Sequence, residues 1–120
     1  MALNQSDQLA FAQQLLSLLG AGLPLLNAME LIHTTAPKTW QNCIGHLCAQ
    51  LKSGHSLSQS MLSQKNMFST EFTNLIRVSE RTGNIELAVQ TICQQFEAQI
   101  ELRHKIQLSH SHSKLLSLHH

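Results

Sequence analysis

A chain of 120 residues has the length of one ordinary domain and can bury a single core. Apolar residues make up 42% and charged residues only 12%, which excludes the composition of a disordered chain. The net charge of +1, with Lys38, Lys52, Lys65, Arg77, Arg81, Arg103, Lys105 and Lys114 scattered along the sequence, provides no basic patch for nucleic acid or an anionic membrane.

Six helical segments follow one another, with no competing strand pattern. The first is predicted over about 6–19, where Leu9, Ala12, Leu15, Leu16 and Leu19 recur at helical spacing. Gly20, Ala21 and Gly22 close it, because glycine accepts the left-handed conformation that ends a helix. Pro24 opens the second at the position where its missing N–H costs nothing, and Leu25, Leu26, Met29 and Ile32 form the inner side. Pro37 ends that helix and begins a third, striped by Trp40, Ile44, Leu47 and Leu51 and closed by Gly54. Ser56 and Gln59 then fit a capping box ahead of a short fourth helix through Met61 and Leu62. Ser69 or Thr70 starts the fifth, with Phe72, Leu75, Ile76 and Ser79 in line. Gly83 ends it and Asn84 caps the sixth almost without a linker. That last helix is predicted over about 85–106, with Ile85, Ala88, Val89, Ile92, Phe96 and Ile100 on one stripe.

The expected fold is all-α, a six-helix bundle built from three consecutive helical hairpins and spanning residues 6–107. The remainder, 108–120, is rich in serine and histidine, lacks an apolar face, and reads as a disordered or tag-like end. The most apolar stretch, 15–32, is broken by Gly20, Gly22, Pro24, Asn27 and Glu30 and does not make a membrane span.

Catalytic chemistry finds no foothold. The sequence has no Gly-x-Ser-x-Gly elbow, no Gly-x-x-x-x-Gly-Lys phosphate loop and no Gly-x-Gly-x-x-Gly turn. Cys43, Cys48 and Cys93, an odd number, read as free thiols used as small core residues in a reducing compartment. Cys43, His46 and Cys48 have a metal-like spacing, yet on a helix Cys48 points about 140° away from Cys43, so the three do not close on one zinc ion. The histidines His104, His110, His112, His119 and His120 belong to the tag-like end. Residues 54–59 look like the turn of a helix-turn-helix, but the segment from Ser56 to Lys65 has one positive charge, Lys65, at its far end, too few for phosphate contacts.

Two acids remain of interest. Glu80 and Glu86 flank the Gly83 turn, where they could approach a hard cation such as calcium. Glu80 also stands near a helix C-terminus, an unfavourable place for an anion, which a partner would justify. On that reading, replacing Glu80 by alanine weakens partner or calcium binding and leaves melting nearly unchanged.

Three stretches then share a resemblance. Phe11-x-x-x-Leu15-Leu16-x-Leu18-Leu19-x-Ala21-Gly22-Leu23-Pro24-Leu25-Leu26-x-Ala28, Leu51-x-x-Gly54-x-Ser56-Leu57-Ser58 followed by Phe68, and Val78-Ser79-Glu80-x-x-Gly83-x-Ile85 together resemble the type II secretion F domain. Ser79 stands where that family usually has glycine, and the family continues past the basic Arg103-His104-Lys105 into a membrane helix and a second copy of the domain. The resemblance implies a non-catalytic domain of an inner-membrane platform protein, on the cytoplasmic face, that couples an assembly ATPase to pilin or pseudopilin assembly. It implies membrane anchoring through other parts of the parent protein, the ATPase and other machine subunits as partners, and no required cofactor. A homodimer and a bound calcium ion at Glu80 and Glu86 stay open. Gly22, Pro24, Gly54 and Gly83 are the turn positions the family pattern marks. The alternative is a freestanding dimeric helical adaptor unrelated to secretion.

Overall fold

The computed structural model describes residues 4–64 and 66–118, with side chains described as far as residue 110. Lys65, His119, His120 and the side chains of His112 and Lys114, all weighed in the sequence, lie outside the described residues.

Six helices occur in the predicted order: α1 (Gln5–Gly20), α2 (Leu25–Thr35), α3 (Lys38–Lys52), α4 (Leu57–Leu62), α5 (Thr70–Thr82) and α6 (Ile85–Leu118). Their ends follow local chemistry. Asn4 caps α1 by accepting the Asp7 N–H at 2.8 Å. Pro24 and Pro37 sit one place earlier than the first helical turn, as the N-caps of α2 and α3, and the Pro24 carbonyl accepts the Ala28 N–H at 2.9 Å. The capping box at Ser56 and Gln59 is complete, and Ser69 caps α5 through the Phe72 N–H. Gly22, Gly54 and Gly83 all have positive φ, at 93°, 92° and 74°. Gly83 matters most: both its own N–H and that of Asn84 return to the Ser79 carbonyl, while the Asn84 side chain accepts the Leu87 N–H at 3.1 Å. One helix therefore ends and the next begins within two residues.

Each helix packs on its neighbours in the chain, and α1 packs on α6 to close the ring. The closure is antiparallel. Gln5 meets Gln99 and accepts from Arg103 at 2.6 Å at one end, Gln13 donates to Glu97 at 3.2 Å, and Gly20 adjoins Glu86 at the other end.

All five aromatic residues of the chain, four Phe and one Trp, form one connected cluster inside this ring. Phe11 of α1 touches Trp40 of α3, Phe68 before α5 and Phe72 of α5, at centroid distances of 6.2, 5.6 and 6.2 Å. Phe72 continues to Phe96 of α6 at 6.0 Å. Aliphatic residues Leu15, Met29, Ile32, Ile44, Leu47, Ile76 and Ile92 complete the core.

Two expectations are corrected. The inner face of α1 is Gln8, Phe11, Ala12 and Leu15, whereas Leu9, Leu16 and Leu19 lie at its margin. Gln8 hid this stripe: it is polar yet buried, and its side-chain carbonyl accepts the Ser69 N–H at 2.9 Å. The sixth helix also continues to Leu118 instead of stopping near residue 106, taking in most of the segment set apart as a tail. Its apolar stripe ends at Phe96 and Ile100, and residues 101–110 are exposed. The stripe reports packing, not backbone conformation. With no glycine or proline between Ile85 and Leu118, nothing stops the helix.

Two measurements check this architecture. Phe11→Ala should cost about 3–5 kcal/mol in urea unfolding, since a ring at the centre of the cluster leaves a cavity; a loss below about 1 kcal/mol would remove Phe11 from that role. Gly83→Val should cost at least ~1–2 kcal/mol through backbone strain, because no heavy atom lies within 4 Å of the added Cβ to contribute a clash. An unchanged melting curve would contradict the left-handed turn.

Candidate functional site

The second and third family-like stretches, distant in sequence, meet where the α4 N-terminus faces the C-terminal end of α5. Ser58 lies in the first turn of α4, where backbone N–H groups have no partner within the helix. Glu80 of α5 supplies one. Its carboxylate accepts the Ser58 N–H at 3.2 Å and also the Ser58 hydroxyl. Ser56 stands 3.3 Å from the same hydroxyl oxygen. With the Ser58 proton committed to Glu80, Ser56 donates to Ser58, and its own oxygen accepts the Gln59 N–H. A relay of hydroxyls thus runs from the capping box to the carboxylate.

This geometry explains an anion near the C-terminal end of α5. Glu80 is disfavoured by the dipole of its own helix but favoured by that of α4, whose N-terminus it meets. It is half-buried and Ser58 is almost fully buried, so the bond is shielded from water. Glu86, at the start of α6, turns elsewhere: one carboxylate oxygen lies 3.5 Å from where a Cβ on Gly20 of α1 would stand. Glu80 thus joins the second and third stretches, and Glu86 borders the first. Gly22 and Pro24 shape the α1–α2 turn, and Gly54 the α3–α4 turn, at different points of the ring. Ser79, the departure from the family pattern, is buried without strain because its hydroxyl donates to the Ile76 carbonyl at 2.7 Å.

The thiols are core groups. Burial pushes Cys43 up to about 11. Cys48 is raised by burial and by Glu30, and Cys93 by burial and by Glu97. All three are held as neutral thiols, whereas metal ligation and nucleophilic attack require the thiolate. His46 turns to Ser63, its Nε2 lying 3.2 Å from the hydroxyl oxygen. The Ser63 proton goes to the Ser60 carbonyl at 2.6 Å, so His46 donates. Among the described residues no group of three or more His, Cys, Asp or Glu side chains is placed to hold a metal ion. No helix among them is long and apolar enough to cross a membrane.

Residues 11–111 match the family model of protein F of the type II secretion system. The chain belongs to this family. It is 31% identical over 101 residues to the type IV pilus assembly protein PilC of Thermus thermophilus, covering 83% of this chain and 25% of that protein. It is 28% identical over 116 residues to the type 4 fimbrial assembly protein PilC of Pseudomonas putida, covering 96% of this chain and 29% of that protein. The chain therefore spans about a quarter of the length of the curated relatives it matches.

The capping box and the misplaced Glu80 charge were both visible in the sequence, but their pairing across 22 residues was not. The contact also changes the expected outcome of removing the acid. Glu80→Ala leaves the buried Ser58 N–H without an acceptor and should lower stability by about 1–3 kcal/mol. In a double-mutant cycle with Ser58→Ala the two losses should be non-additive by at least ~0.5 kcal/mol; additive losses in thermal or urea unfolding would dissolve the pairing.

Proposed function

We propose that this chain is a helical docking domain of the inner-membrane platform protein of a type II secretion or type IV pilus machine. It lies on the cytoplasmic face and couples an assembly ATPase to the assembly of pilins or pseudopilins. The observation that carries this reading is the match to the protein F family over residues 11–111. The names of the relatives support the pilus setting, and the same match favours the platform reading over a freestanding adaptor.

The role is one of transmission, not catalysis. Among the described residues the acids are spread over several helices, and the thiols are held neutral in the core. Core residues tie the six helices together, so an applied load passes between helix surfaces through a packed interior. Machine subunits, and a second copy of the chain, dock on those outer surfaces. No cofactor is required for this work. A calcium ion at Glu80 and Glu86 would have to compete with the Ser58 bond for the Glu80 carboxylate.

Binding of the purified chain to the assembly ATPase encoded in the same pilus or secretion operon, with and without nucleotide, tests the coupling. Saturable binding that changes with the nucleotide is expected. No binding in any nucleotide state would overturn it. A calcium titration followed by calorimetry, repeated with Glu86→Ala, decides the cation: heat that disappears in the variant assigns the site, and no heat in either protein eliminates it.

A further inference from the structure

The solvent side of α6 carries a stripe that the core does not explain. Leu87, Thr91, Gln94, Ala98, Leu102 and Lys105 recur at intervals of three and four residues and fall within about 100° of one another around the helix. Phe96, on the core side, points about 180° from Leu87. Intervals of three and four residues are the spacing by which one helix packs along another. Yet Leu87 and Leu102 are 55% and 60% exposed.

The two leucines have different surroundings. Leu87 stands on one wall of an open groove, and Val78 of α5, itself 58% exposed, stands on the other. Aliphatic, hydroxyl and amide side chains line this groove, with no charged one among the described residues. Its hydroxyl protons are spent within the helices: Ser79 donates to the Ile76 carbonyl at 2.7 Å, Thr82 to Ser79 at 3.1 Å, and Thr91 to Leu87 at 3.0 Å. The groove therefore suits an uncharged, aliphatic guest. Leu102 lies about 22 Å farther along the helix, past Phe96, the last buried residue of α6 among those described. One end of the stripe is a groove and the other is a knob.

We propose that two copies of this chain pair through α6, antiparallel about a two-fold axis, so that Leu102 of each copy seats between Val78 and Leu87 of the other. With Leu87 opposite Leu102, Thr91 falls opposite Ala98, and Gln94 beside Gln95, because all three pairs share one midpoint between residues 94 and 95. Thr91 and Ala98 are small, which lets the two helices approach closely near the axis. A symmetric pairing is self-complementary and uses the knob and the groove twice. A helix of another protein fills the groove and leaves Leu102 in water.

Charge and hydrogen bonding agree with that guest. The segment that enters the neutral groove, from Ala98 to Leu102, has one charged residue, Glu101, and Lys105 of the same helix pairs with it at 3.6 Å. Glu80 turns to Ser58 on α4, and Glu86 lies against Gly20 of α1, so neither acid faces the incoming helix. Gln95, at the margin of the stripe, holds the one buried side-chain oxygen without a donor among the described residues. A turn of that side chain brings it to the Gln94 amide of the second copy, which is the donor it lacks. The stripe runs about 27 Å and is one helix, about 10–12 Å, wide. Counted on both copies its flat footprint is on the order of 600 Å², and interdigitating side chains bury more, which places the contact near the lower limit of about 1,000–1,200 Å² for a specific interface. The dimer is therefore weak and dissociates on dilution. The inference deepens the docking reading, on which it rests in taking the outer helix surfaces as the working part.

Sedimentation of the 120-residue chain over a range of concentrations should show a monomer–dimer equilibrium, which Leu102→Asp weakens at least about tenfold by putting a charge into the groove. Leu102 lies outside the core, so melting should be unchanged in that variant; should it unfold, Ala98→Lys replaces it. Cross-linking checks the register. The two Thr91 positions stand about 10 Å apart along the axis, too far for a disulfide, whereas Thr91 of one copy faces Ala98 of the other. Under mild oxidation a mixture of the Thr91→Cys and Ala98→Cys proteins should therefore cross-link, and neither protein alone should; the native Cys43, Cys48 and Cys93 are buried. A monomer at every concentration, a dimer indifferent to Leu102→Asp, or cross-linking of Thr91→Cys by itself would overturn the proposal. A monomer that binds the assembly ATPase sinks the pairing and leaves the coupling standing, and a dimer of the expected register that binds no ATPase does the reverse.

Discussion

The packing of Phe11 against its neighbouring rings is the constraint on which the rest of the structure depends. A chain with five aromatic residues has placed all of them in one cluster, with Phe11 touching three of the other four. These contacts join helices from the beginning, middle and end of the chain. Aromatic pairs contribute about 0.5–1.5 kcal/mol each beyond the area they bury, so the cluster concentrates stabilisation where the ring of helices closes. Gln8, one turn earlier, fixes the same helix by a polar contact, accepting the Ser69 N–H that begins the α5 cap. Helix α1 thereby sets the register of α5 as well as that of α6.

A second, polar constraint acts farther along the bundle. Helix α4 has six residues, too few to persist alone, since isolated helices below about 12–15 residues are marginal in water. Its first turn is satisfied by three residues: Ser56 and Gln59 in the capping box, and Glu80 at Ser58. Met61 and Leu57 anchor its inner side in the core. Helix α5 is therefore held on one flank by an ionic hydrogen bond to α4 and on its inner face by Phe72 and Ile76, which leaves its outer face free.

What was legible in the sequence was local. The capping box, the Gly83–Asn84 punctuation and the stripes of α3, α5 and α6 each depend on residues within a few positions of one another, and each is present. What was not legible depended on distance or on a misleading residue type. Gln8 looked like surface because glutamine is seldom buried, so the true inner face of α1 was displaced and Phe11 was left off it. Glu80 suggested an external partner because Ser58 lies 22 residues away in the sequence. Residues 101–110 of α6 are exposed, and apolar periodicity is silent about a stretch of helix that buries no face.

These constraints together bear on how a small domain of this family divides its residues between holding and docking. The connection from α5 to α6 has almost no slack, because Gly83 turns the chain and Asn84 starts the next helix. The angle between the two helices, and with it the shape of their outer groove, is fixed by that turn and by the Phe72–Phe96 contact beneath it. Moving α5 would disturb Glu80 on α4 and Phe72 in the core at once, both of which resist displacement. Val78 and Leu87 are thus exposed on rigid supports. A glycine in a turn therefore shapes the outer surface as much as it ends a helix, because the surface inherits its geometry from the turn.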